Sequence, residues 1–560
     1  MTERQKVIIR TLPTGVPGLD QVLGGGLPEY SFNLIAGGPG TGKTTLAHQI
    51  MFANTSPDRP ALYFTVLGEP PIKMLRYQQQ FNFFDLNKVD SSIHFINLSQ
   101  EVLDKDLSKV LESIVREVEK IGPSIVVVDS FRTVVQAVKG VRTGETELQN
   151  FIQRLALYLT TWQATTFLVG EYPDEEIRQS PVFTVADGIL WLFQSVECNS
   201  TIRKLQVIKM RGQAPLLGMH TFRITQNGLK VFPRMVKPIK EEKRPIPSER
   251  ISTGVPGLDE MMNGGIPLGD SVILAGPSGS GKTVLATQFI HEGLRQGEPG
   301  VVVLFEERPQ RYLERAKAFG FDLAEMIRQD RLRILYLRQI DLLPDEALQK
   351  IQKAVEQIAA RRVVINSLSG FEVALAPTFR KEFQESLYRM VEALTEDGVT
   401  VLMTLERDGI YNELRLNPYV ISFLTDDIIL QRYIEMDGQL KKVITVVKMR
   451  NSPHSKDLRV YEITSQGLVV GEILKGYQGI ISGISQPQEI LKQFPYPGLI
   501  DQEMRVLQTL LKLGETSATM LAQRTALDPP DLARALDRLL TLRYAVKVEE
   551  GDRILYRPLV

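Results

Sequence analysis

The sequence contains almost no cysteine and little histidine. Cys198 is the one cysteine, and there are 5 histidines among 560 residues. A lone cysteine excludes an intramolecular disulfide framework and a cysteine-only zinc site, and so few histidines argue against a histidine-rich metal centre. The first residues have no apolar signal core, and no apolar run is long enough to span a bilayer. We therefore expect a cytoplasmic protein with no membrane segment.

The sequence also lacks an excess of charge of either sign. There are 66 Lys and Arg against 66 Asp and Glu, which gives a formal net charge of zero. This balance excludes a generally basic nucleic-acid coat, although it does not exclude a local basic patch. A single core rarely grows beyond about 250–300 residues, so a chain of 560 residues predicts at least two domains.

A long segment of the chain occurs twice. Residues 14–49 and 253–288 share 19 of 36 positions without a gap, at a constant offset of 239. This similarity predicts two copies of one domain, residues 1–235 and 250–485, joined by a proline-rich and charged linker, residues 236–249. A second linker, residues 486–500, precedes a small third domain, residues 501–560.

Each copy alternates apolar strand-like runs with amphipathic stretches. This pattern predicts an α/β fold with a mostly parallel sheet that is covered by helices on both faces. Runs near residues 201–210 and 441–449 alternate more strongly, which indicates an antiparallel or mixed edge. Residues 501–560 read as three helices and a hairpin, with Ser517 and Asp528 as helix caps, an order that resembles a small winged helix-turn-helix.

Each copy carries a glycine-rich phosphate-binding motif between an apolar strand and an amphipathic helix. Backbone N–H groups of such a P-loop (Walker A motif) surround phosphate oxygens, the lysine reaches the β- and γ-phosphates, and the hydroxyl binds Mg²⁺. We therefore expect ATP and Mg²⁺ as ligands, with Lys43 and Lys282 as the phosphate-binding cations and Thr44 and Thr283 as metal ligands. The two motifs are Gly37-Gly38-Pro39-Gly40-Thr41-Gly42-Lys43-Thr44 and Gly276-Pro277-Ser278-Gly279-Ser280-Gly281-Lys282-Thr283.

The acidic residues that should complete the two sites are divided between the copies. Copy one has Asp129 at a strand end, a metal ligand and catalytic candidate, where copy two has Asn366. Copy two has Glu306 and Glu307 after a strand, able to hold the metal (Glu306) and polarise attacking water. Copy one has Leu67 and Gly68 at those positions, and the nearby Glu69 would serve only if the turn bulges.

A Lys-Met-Arg element recurs late in each copy. Lys209 and Arg211, and Lys448 and Arg450, are spaced to lie on one face of a strand. One interpretation is a solvated edge strand. The other is a cationic finger that neutralises charge on the γ-phosphate bound by a neighbouring subunit.

These features resemble the KaiC family, tandem RecA-fold ATPases of the cyanobacterial clock and their bacterial and archaeal relatives. The resemblance covers residues 8–485 and is closest over residues 419–450. It implies two RecA-like domains, hexameric double rings with ATP at subunit interfaces, and a second domain that can phosphorylate itself on adjacent Ser and Thr. Here Ser422 matches the serine, but Phe423 replaces the threonine, so a two-site phosphorylation cycle is excluded and Ser422 alone is the candidate phosphosite. The carboxyl-terminal segment is not part of the family's usual layout.

The function that follows is a ring-forming ATPase with slow hydrolysis in one or both rings and a signalling or regulatory role. The alternative is a nucleotide-gated scaffold that assembles with ATP but barely hydrolyses it. A role as a DNA-strand recombinase is a weaker interpretation, because no basic DNA-binding loop is evident in the sequence. Residues 501–560 contain nine basic and nine acidic residues, and this balance argues against strong DNA binding by one copy and favours protein docking. Six copies on a ring could still compensate for weak DNA binding through multivalency.

Overall fold

The computed structural model describes most of the chain in two units, residues 1–474 and residues 475–560. The described residues are 9–66, 71–103, 106–138, 144–173, 180–197, 199–234, 249–337, 341–406, 425–436, 438–450, 452–474, 477–478, 486–487, 499, 501–550 and 553–559. Ser422, Phe423, Cys198, Leu67, Gly68, Glu69 and most of both predicted linkers lie outside them.

The first copy folds around a nine-stranded sheet. Six neighbouring strands are parallel, and three strands at one edge are antiparallel, as the alternating run near residues 201–210 predicts. In spatial order the strands are Gly228–Phe232, Met219–Thr225, Ser200–Met210, Gly188–Glu197, Phe32–Gly37, Thr165–Glu171, Ile125–Asp129, Ala61–Thr65 and Ile93–Asn97.

The second copy repeats this topology, with six parallel strands and three antiparallel ones. The strands, again in spatial order, are Gly467–Ile473, Arg459–Thr464, Gln439–Lys448, Asp427–Met436, Ser271–Gly276, Thr400–Glu406, Arg362–Asn366, Gly300–Leu304 and Leu332–Tyr336. The predicted α/β class with mostly parallel sheets is therefore confirmed.

Helices cover both faces of each sheet, and two apolar clusters flank each one. Every residue of the P-loop strands Phe32–Gly37 and Ser271–Gly276 is buried, which explains why these strands read as continuous apolar runs. The helices of the first copy are Leu19–Leu23, Lys43–Asn54, Pro71–Gln78, Ser99–Leu103, Leu107–Ile121, Phe131–Val138, Gly144–Thr161 and Pro181–Val185, with a 3₁₀ turn at Leu86–Lys88. Those of the second are Pro256–Met261, Lys282–Arg295, Pro309–Ala318, Ala324–Arg328, Pro344–Ile358, Leu368–Ala374, Pro377–Arg380 and Phe383–Glu396.

The duplicated segment that begins each copy is structural. In copy one, Asp20 accepts hydrogen bonds from the backbone N–H (2.8 Å) and the hydroxyl (2.6 Å) of Thr14, and Asp259 does the same for Thr253. These bonds fix the turn that follows a two-stranded ribbon, Thr11–Leu12 with Leu27–Pro28 in copy one and Arg250–Ile251 with Ile266–Pro267 in copy two. The repeated residues at the start of each copy therefore stabilise the local fold.

The two copies contact each other through a largely polar interface. Arg223 of copy one lies 2.7 Å from Glu346 of copy two and also donates to the Asp341 carbonyl at 2.8 Å. Thr378 donates to Glu197 at 2.7 Å, and the Lys204 ammonium lies 5.0 Å from the ring centre of Phe379. Burial alone would raise the pKa of Glu346, but hydrogen bonds and positive charge from Lys350 and Arg223 hold it below its ordinary value.

In the described part of the carboxyl-terminal unit there are three helices, Asp501–Leu513, Ala518–Thr525 and Pro529–Thr541. Its antiparallel sheet has the order Thr516–Ser517, Arg553–Pro558, Ala545–Glu550. The Ser517 and Asp528 side chains cap the second and third helices, as predicted. This unit also includes the short ribbon Tyr477–Gln478 with Gln486–Pro487. The winged-helix assignment itself stays a prediction.

Among the described residues, no helix combines the length and the apolar character that crossing a membrane requires.

Candidate functional site

The first P-loop connects the strand Phe32–Gly37 to the helix Lys43–Asn54. Gly42 precedes that helix with φ of 99°, and a Cβ atom there would lie 2.7 Å from Cδ1 of Ile224, so glycine is required on both counts. The Lys43 ammonium donates to the Gly38 carbonyl at 2.6 Å and lies 3.6 Å from Glu171. Burial lowers the pKa of Lys43, and the charges of Glu171 and Asp129 partly offset this.

Asp129 ends the neighbouring strand at the level of the P-loop. One of its oxygens accepts hydrogen bonds from Thr44 (2.7 Å) and from Tyr63 (2.8 Å). Burial raises the pKa of Asp129, while these two hydrogen bonds and the charge of Lys43 act in the opposite direction. The predicted metal ligands Thr44 and Asp129 are therefore adjacent, and Tyr63 holds the carboxylate from the next strand.

The second P-loop has the same form. Gly281 has φ of 97°, and a Cβ atom there would lie 2.6 Å from Cδ1 of Ile463. The Lys282 ammonium donates to the carbonyls of Gly276 (2.9 Å) and Pro277 (2.7 Å). Burial lowers the pKa of Lys282, with Glu406 and Glu306 offsetting the effect.

Asn366 occupies the position of Asp129 in the second copy, but its contacts differ. Its side-chain oxygen accepts a hydrogen bond from Thr404 at 2.7 Å, and the Thr283 hydroxyl lies 3.5 Å away, at the limit of a hydrogen bond. The amide is thus held mainly by the neighbouring strand. A neutral amide cannot offset the charge of a cation, so copy two must supply its carboxylate from another place.

Glu306 and Glu307, the predicted acidic pair, lie in two different environments. Glu306 is exposed and accepts a hydrogen bond from the Ser367 hydroxyl at 3.2 Å. Glu307 is paired with Arg315 at 2.6 Å. A cleft of about 300 Å³ is lined by Lys282, Thr283, Glu306 and Asn366, and an adjoining cleft of about 670 Å³ is lined by both glutamates. The structure therefore brings the second P-loop and the acidic pair together.

The Lys-Met-Arg elements lie at the opposite end of each sheet from the P-loop of the same copy. Met210 pairs with Gly188, which pairs with Asn33, four residues before the P-loop begins at Gly37. At 3.3 Å per residue this is a separation of about 13 Å along the strand. In copy two, Lys448 pairs with Ile428, which is level with Ile273. Neither element can reach the phosphate loop of its own copy.

The expectation that each Lys and Arg share one strand face is revised by the structure. The strands end at Met210 and Lys448, so Arg211 and Arg450 lie beyond them. Each lysine instead donates to a carbonyl before the adjacent strand, Lys209 to Thr184 at 3.0 Å and Lys448 to Thr425 at 2.5 Å. Each arginine lies near an aspartate, Arg211 at 3.0 Å from Asp187 and Arg450 at 3.5 Å from Asp426. About half or more of each arginine side chain is exposed, at 61% and 52%.

The residues present fit a magnesium-bound nucleoside triphosphate. Glycines leave room at both loops, a buried lysine lies inside each, and a threonine hydroxyl faces an oxygen-bearing side chain. No group of three or more His, Cys, Asp or Glu among the described residues could enclose a metal ion. Mg²⁺ is typically held by one or two carboxylates together with substrate phosphates, which is the arrangement that Thr44 and Asp129 permit.

Several contacts at the sites escaped the sequence analysis. Tyr63 and Thr404 reach the metal-ligand position from neighbouring strands, and the signal for them is strand order, which the sequence does not reveal. Ser367 directly follows Asn366, but its bond to Glu306 depends on how two loops meet. Arg315 lies two turns into the helix after Glu307, and its pairing depends on where that helix begins.

Comparisons with known proteins agree with this geometry. A family model described as "ATPase: KaiC" matches the chain twice, over residues 12–236 and 251–475. The chain is 30% identical over 492 residues to the circadian clock oscillator protein KaiC of Rippkaea orientalis. The aligned residues are 86% of this chain and 92% of that protein. It is 30% identical over 484 residues to the KaiC of a Picosynechococcus species and 29% identical over 485 residues to that of Synechococcus elongatus, with coverage of 85% and 92% in both comparisons.

Proposed function

The chain belongs to the KaiC family of tandem ATPase domains, and on that premise we propose that it is a Mg-ATP-dependent ATPase that forms a hexameric ring. The nucleotide sites lie at subunit interfaces. The second copy carries most of the hydrolysis, and the first copy binds nucleotide and turns it over slowly. The observation that carries this proposal is the cleft in which Lys282, Thr283 and Glu306 meet.

The roles of the residues in the second site follow from their positions. Lys282 and the loop Gly276–Lys282 would hold the β- and γ-phosphates, and Thr283 and Glu306 would hold Mg²⁺, which would neutralise phosphate charge. Glu306 and Glu307 form the acidic wall toward which the attacking water is oriented. Asn366 can hydrogen-bond a metal-bound water but adds no negative charge.

The first site has the complementary composition. Lys43, Thr44 and Asp129 form a metal-nucleotide cradle, supported by Tyr63. Leu67 and Gly68 stand at the positions of the acidic pair in the sequence. A site with strong binding groups and no base at that position favours retention of ATP over its hydrolysis.

The ring is supported by the position of the Lys-Met-Arg elements. Because each lysine lies about 10 Å along the strand from the loop of its own copy, the element can act on a phosphate only in another subunit. Asp187 also accepts a hydrogen bond from the Phe32 N–H, so the Arg211 ion pair is anchored to the start of the P-loop strand. This anchoring favours the interpretation of a cationic finger that acts on a neighbouring subunit's nucleotide over the interpretation of a solvated edge strand.

The nucleotide-gated scaffold remains the second candidate, because the acids are divided between the copies. Ser422, the candidate site of weak serine autophosphorylation, lies outside the described residues.

In the carboxyl-terminal unit, Arg534 is paired with Asp531, and Arg538 lies 3.1 Å from Glu503. These pairs neutralise two arginines of the third helix, which favours docking of a signalling protein over binding of DNA.

Steady-state phosphate release tests the proposal directly. Lys282→Ala should remove most of the activity, and Lys43→Ala should reduce nucleotide retention more than turnover. Sizing chromatography with and without ATP should show assembly that depends on nucleotide. If phosphate release is the same in both lysine variants and the unmodified protein, the ATPase proposal is wrong. Assembly with ATP and without ADP formation would instead support the scaffold.

A further inference from the structure

A chain of side chains connects the second P-loop helix to the acidic pair. The Thr287 hydroxyl donates to the Thr283 carbonyl at 2.7 Å, and its oxygen lies 3.1 Å from the Tyr312 hydroxyl. Thr287 has one hydroxyl proton, which is directed at Thr283, so Tyr312 is the donor of the second bond. Tyr312 is 1% exposed, and its ring therefore has a fixed position beneath the helix Pro309–Ala318.

Arg315 continues this connection to Glu307. Its guanidinium carbon lies 5.7 Å from the centre of the Tyr312 ring, within the range of a cation–π contact. Its terminal nitrogen lies 2.6 Å from a Glu307 oxygen. The arginine is thus held from below by the buried tyrosine and in turn holds the carboxylate.

The two glutamates consequently differ in what restrains them. The Ser367 oxygen accepts the Gly370 N–H at 3.0 Å, so the Ser367 proton is free to bond Glu306. A Cβ atom at Gly370 would lie 2.7 Å from a Glu306 oxygen, so the glycine makes room for this position. Glu306 and Arg315 line the cleft around Lys282, whereas Glu307 is not among the described residues that line it.

The first copy lacks this network together with the acidic pair. At the offset of 239, Glu307, Tyr312 and Thr287 correspond to Gly68, Lys73 and His48. The arginine alone returns, as Arg76. His48 packs instead edge-on against Tyr63, with ring centres 4.6 Å apart. The connection from P-loop helix to glutamate is therefore specific to the copy that has the glutamates.

We propose that Arg315 is a positioning residue for ATP hydrolysis: it fixes Glu307 by the ion pair and so leaves Glu306 as the carboxylate that faces the reacting water. Tyr312 supports Arg315 and orients it relative to the P-loop helix. This inference rests on the proposed ATPase function of the second copy.

The test is a set of kcat and KM measurements on the full chain with MgATP. Arg315→Gln should lower kcat by about tenfold and leave KM within about twofold, because Glu307 released from the ion pair can compete with Glu306 for the reacting water, and such misplacement acts on the chemical step. Arg315→Lys, which keeps the charge, should recover most of the kcat. Tyr312→Phe keeps the ring and should produce a smaller loss. Lys317→Gln removes an exposed cation on the same helix that lines neither cleft, and as the matched control it should have no effect.

Coupling to Glu307 separates positioning from general damage. In a Glu307→Gln background, Arg315→Gln should lower kcat by less than about twofold, because there is no longer a carboxylate to position. An undiminished effect in that background, a rise in KM at constant kcat, or an equal loss in Lys317→Gln would overturn the inference. If Glu306→Gln and Lys282→Ala leave phosphate release unchanged, the ATPase proposal itself fails. If they abolish it and Arg315→Gln has no effect, only the positioning role fails.

Discussion

Thr44 donates a 2.7 Å hydrogen bond to Asp129, whereas the equivalent Thr283 hydroxyl lies 3.5 Å from Asn366. The two duplicated sites therefore differ at the point where a metal ion would be held. In the first site a hydroxyl and a charged carboxylate are in contact. In the second a hydroxyl faces an amide, and Glu306 on another loop is the carboxylate that we propose as the source of negative charge.

Asn366→Asp should restore the missing charge in the second copy. We expect the Mg²⁺ concentration for half-maximal phosphate release to fall by about tenfold, because a carboxylate is a stronger ligand for a hard cation than an amide. A magnesium titration of activity at saturating ATP provides the measurement. Asn263→Asp, which adds the same charge at an exposed turn, should leave the titration unchanged. Equal curves for Asn366→Asp and the unmodified protein would contradict this assignment of the metal site.

Tyr63→Phe should destabilise the first domain. Tyr63 is fully buried, and its hydroxyl is one of two donors to the half-buried Asp129. Removing one partner of a buried hydrogen bond costs about 1–3 kcal/mol, so we expect the free energy of unfolding to fall by about that amount. Chemical denaturation measures the change. Tyr77→Phe, at a side chain that is 61% exposed, serves as the control and should lie close to the unmodified protein. A Tyr63→Phe curve that matches this control would show that the bond to Asp129 contributes nothing.

Glu346→Gln should weaken the interface between the two copies. The Glu346 side chain is 7% exposed and is paired with both Arg223 and Lys350. Because its pKa is lowered in the folded protein, its stabilising effect is present at neutral pH and is lost as the pH falls below the ordinary glutamate value of about 4.5. The variant should therefore lose about 1–3 kcal/mol at pH 7 and show a smaller decrease in stability on acidification.

Denaturation at pH 7 and at pH 4 measures this difference. Glu119→Gln removes an exposed glutamate and should retain the pH dependence of the unmodified protein. An identical loss of stability on acidification in Glu346→Gln and Glu119→Gln would remove Glu346 as the source of the effect.

His48 should make the first domain sensitive to acid. Burial among Phe52, Tyr63 and Phe95 lowers its pKa to about 3, against about 6.5 in the unfolded chain. Below pH 6.5 the unfolded state takes up a proton that the folded state does not, so stability falls with pH from there toward about 3. His48→Leu should flatten this part of the curve, and His94→Gln should not. A curve for His48→Leu that remains as steep as that of the unmodified protein would show that another group is responsible.

The fold was largely predictable from the sequence, because buried parallel strands leave a local pattern. The apolar runs at residues 32–36 and 125–128 lie within the strands Phe32–Gly37 and Ile125–Asp129. The antiparallel edge followed from alternation, and the caps Ser517 and Asp528 followed from residue type.

The candidate site was predictable where its residues form continuous motifs or end an apolar strand, as Asp129 does. The two P-loops and the Glu306-Glu307 pair are continuous motifs. Tyr63 and Asp129 are 66 residues apart, and their contact depends on two strands being neighbours in register, with Thr65 opposite Asp129. The different environments of Glu306 and Glu307 depend on Ser367 and on Arg315, which belong to other elements of the fold. Such contacts between distant segments are fixed by packing and leave no local pattern.

The most direct test of this account is phosphate release by the full chain carrying both Glu306→Gln and Glu307→Gln, measured beside its retention of ATP. We predict that release falls by at least about tenfold while ATP remains bound at the first P-loop, because the substitutions remove the base and the metal-holding carboxylate of the second copy and leave the first copy unchanged. Phosphate release at the unmodified rate would contradict it and would assign the hydrolysis to the first copy or to neither.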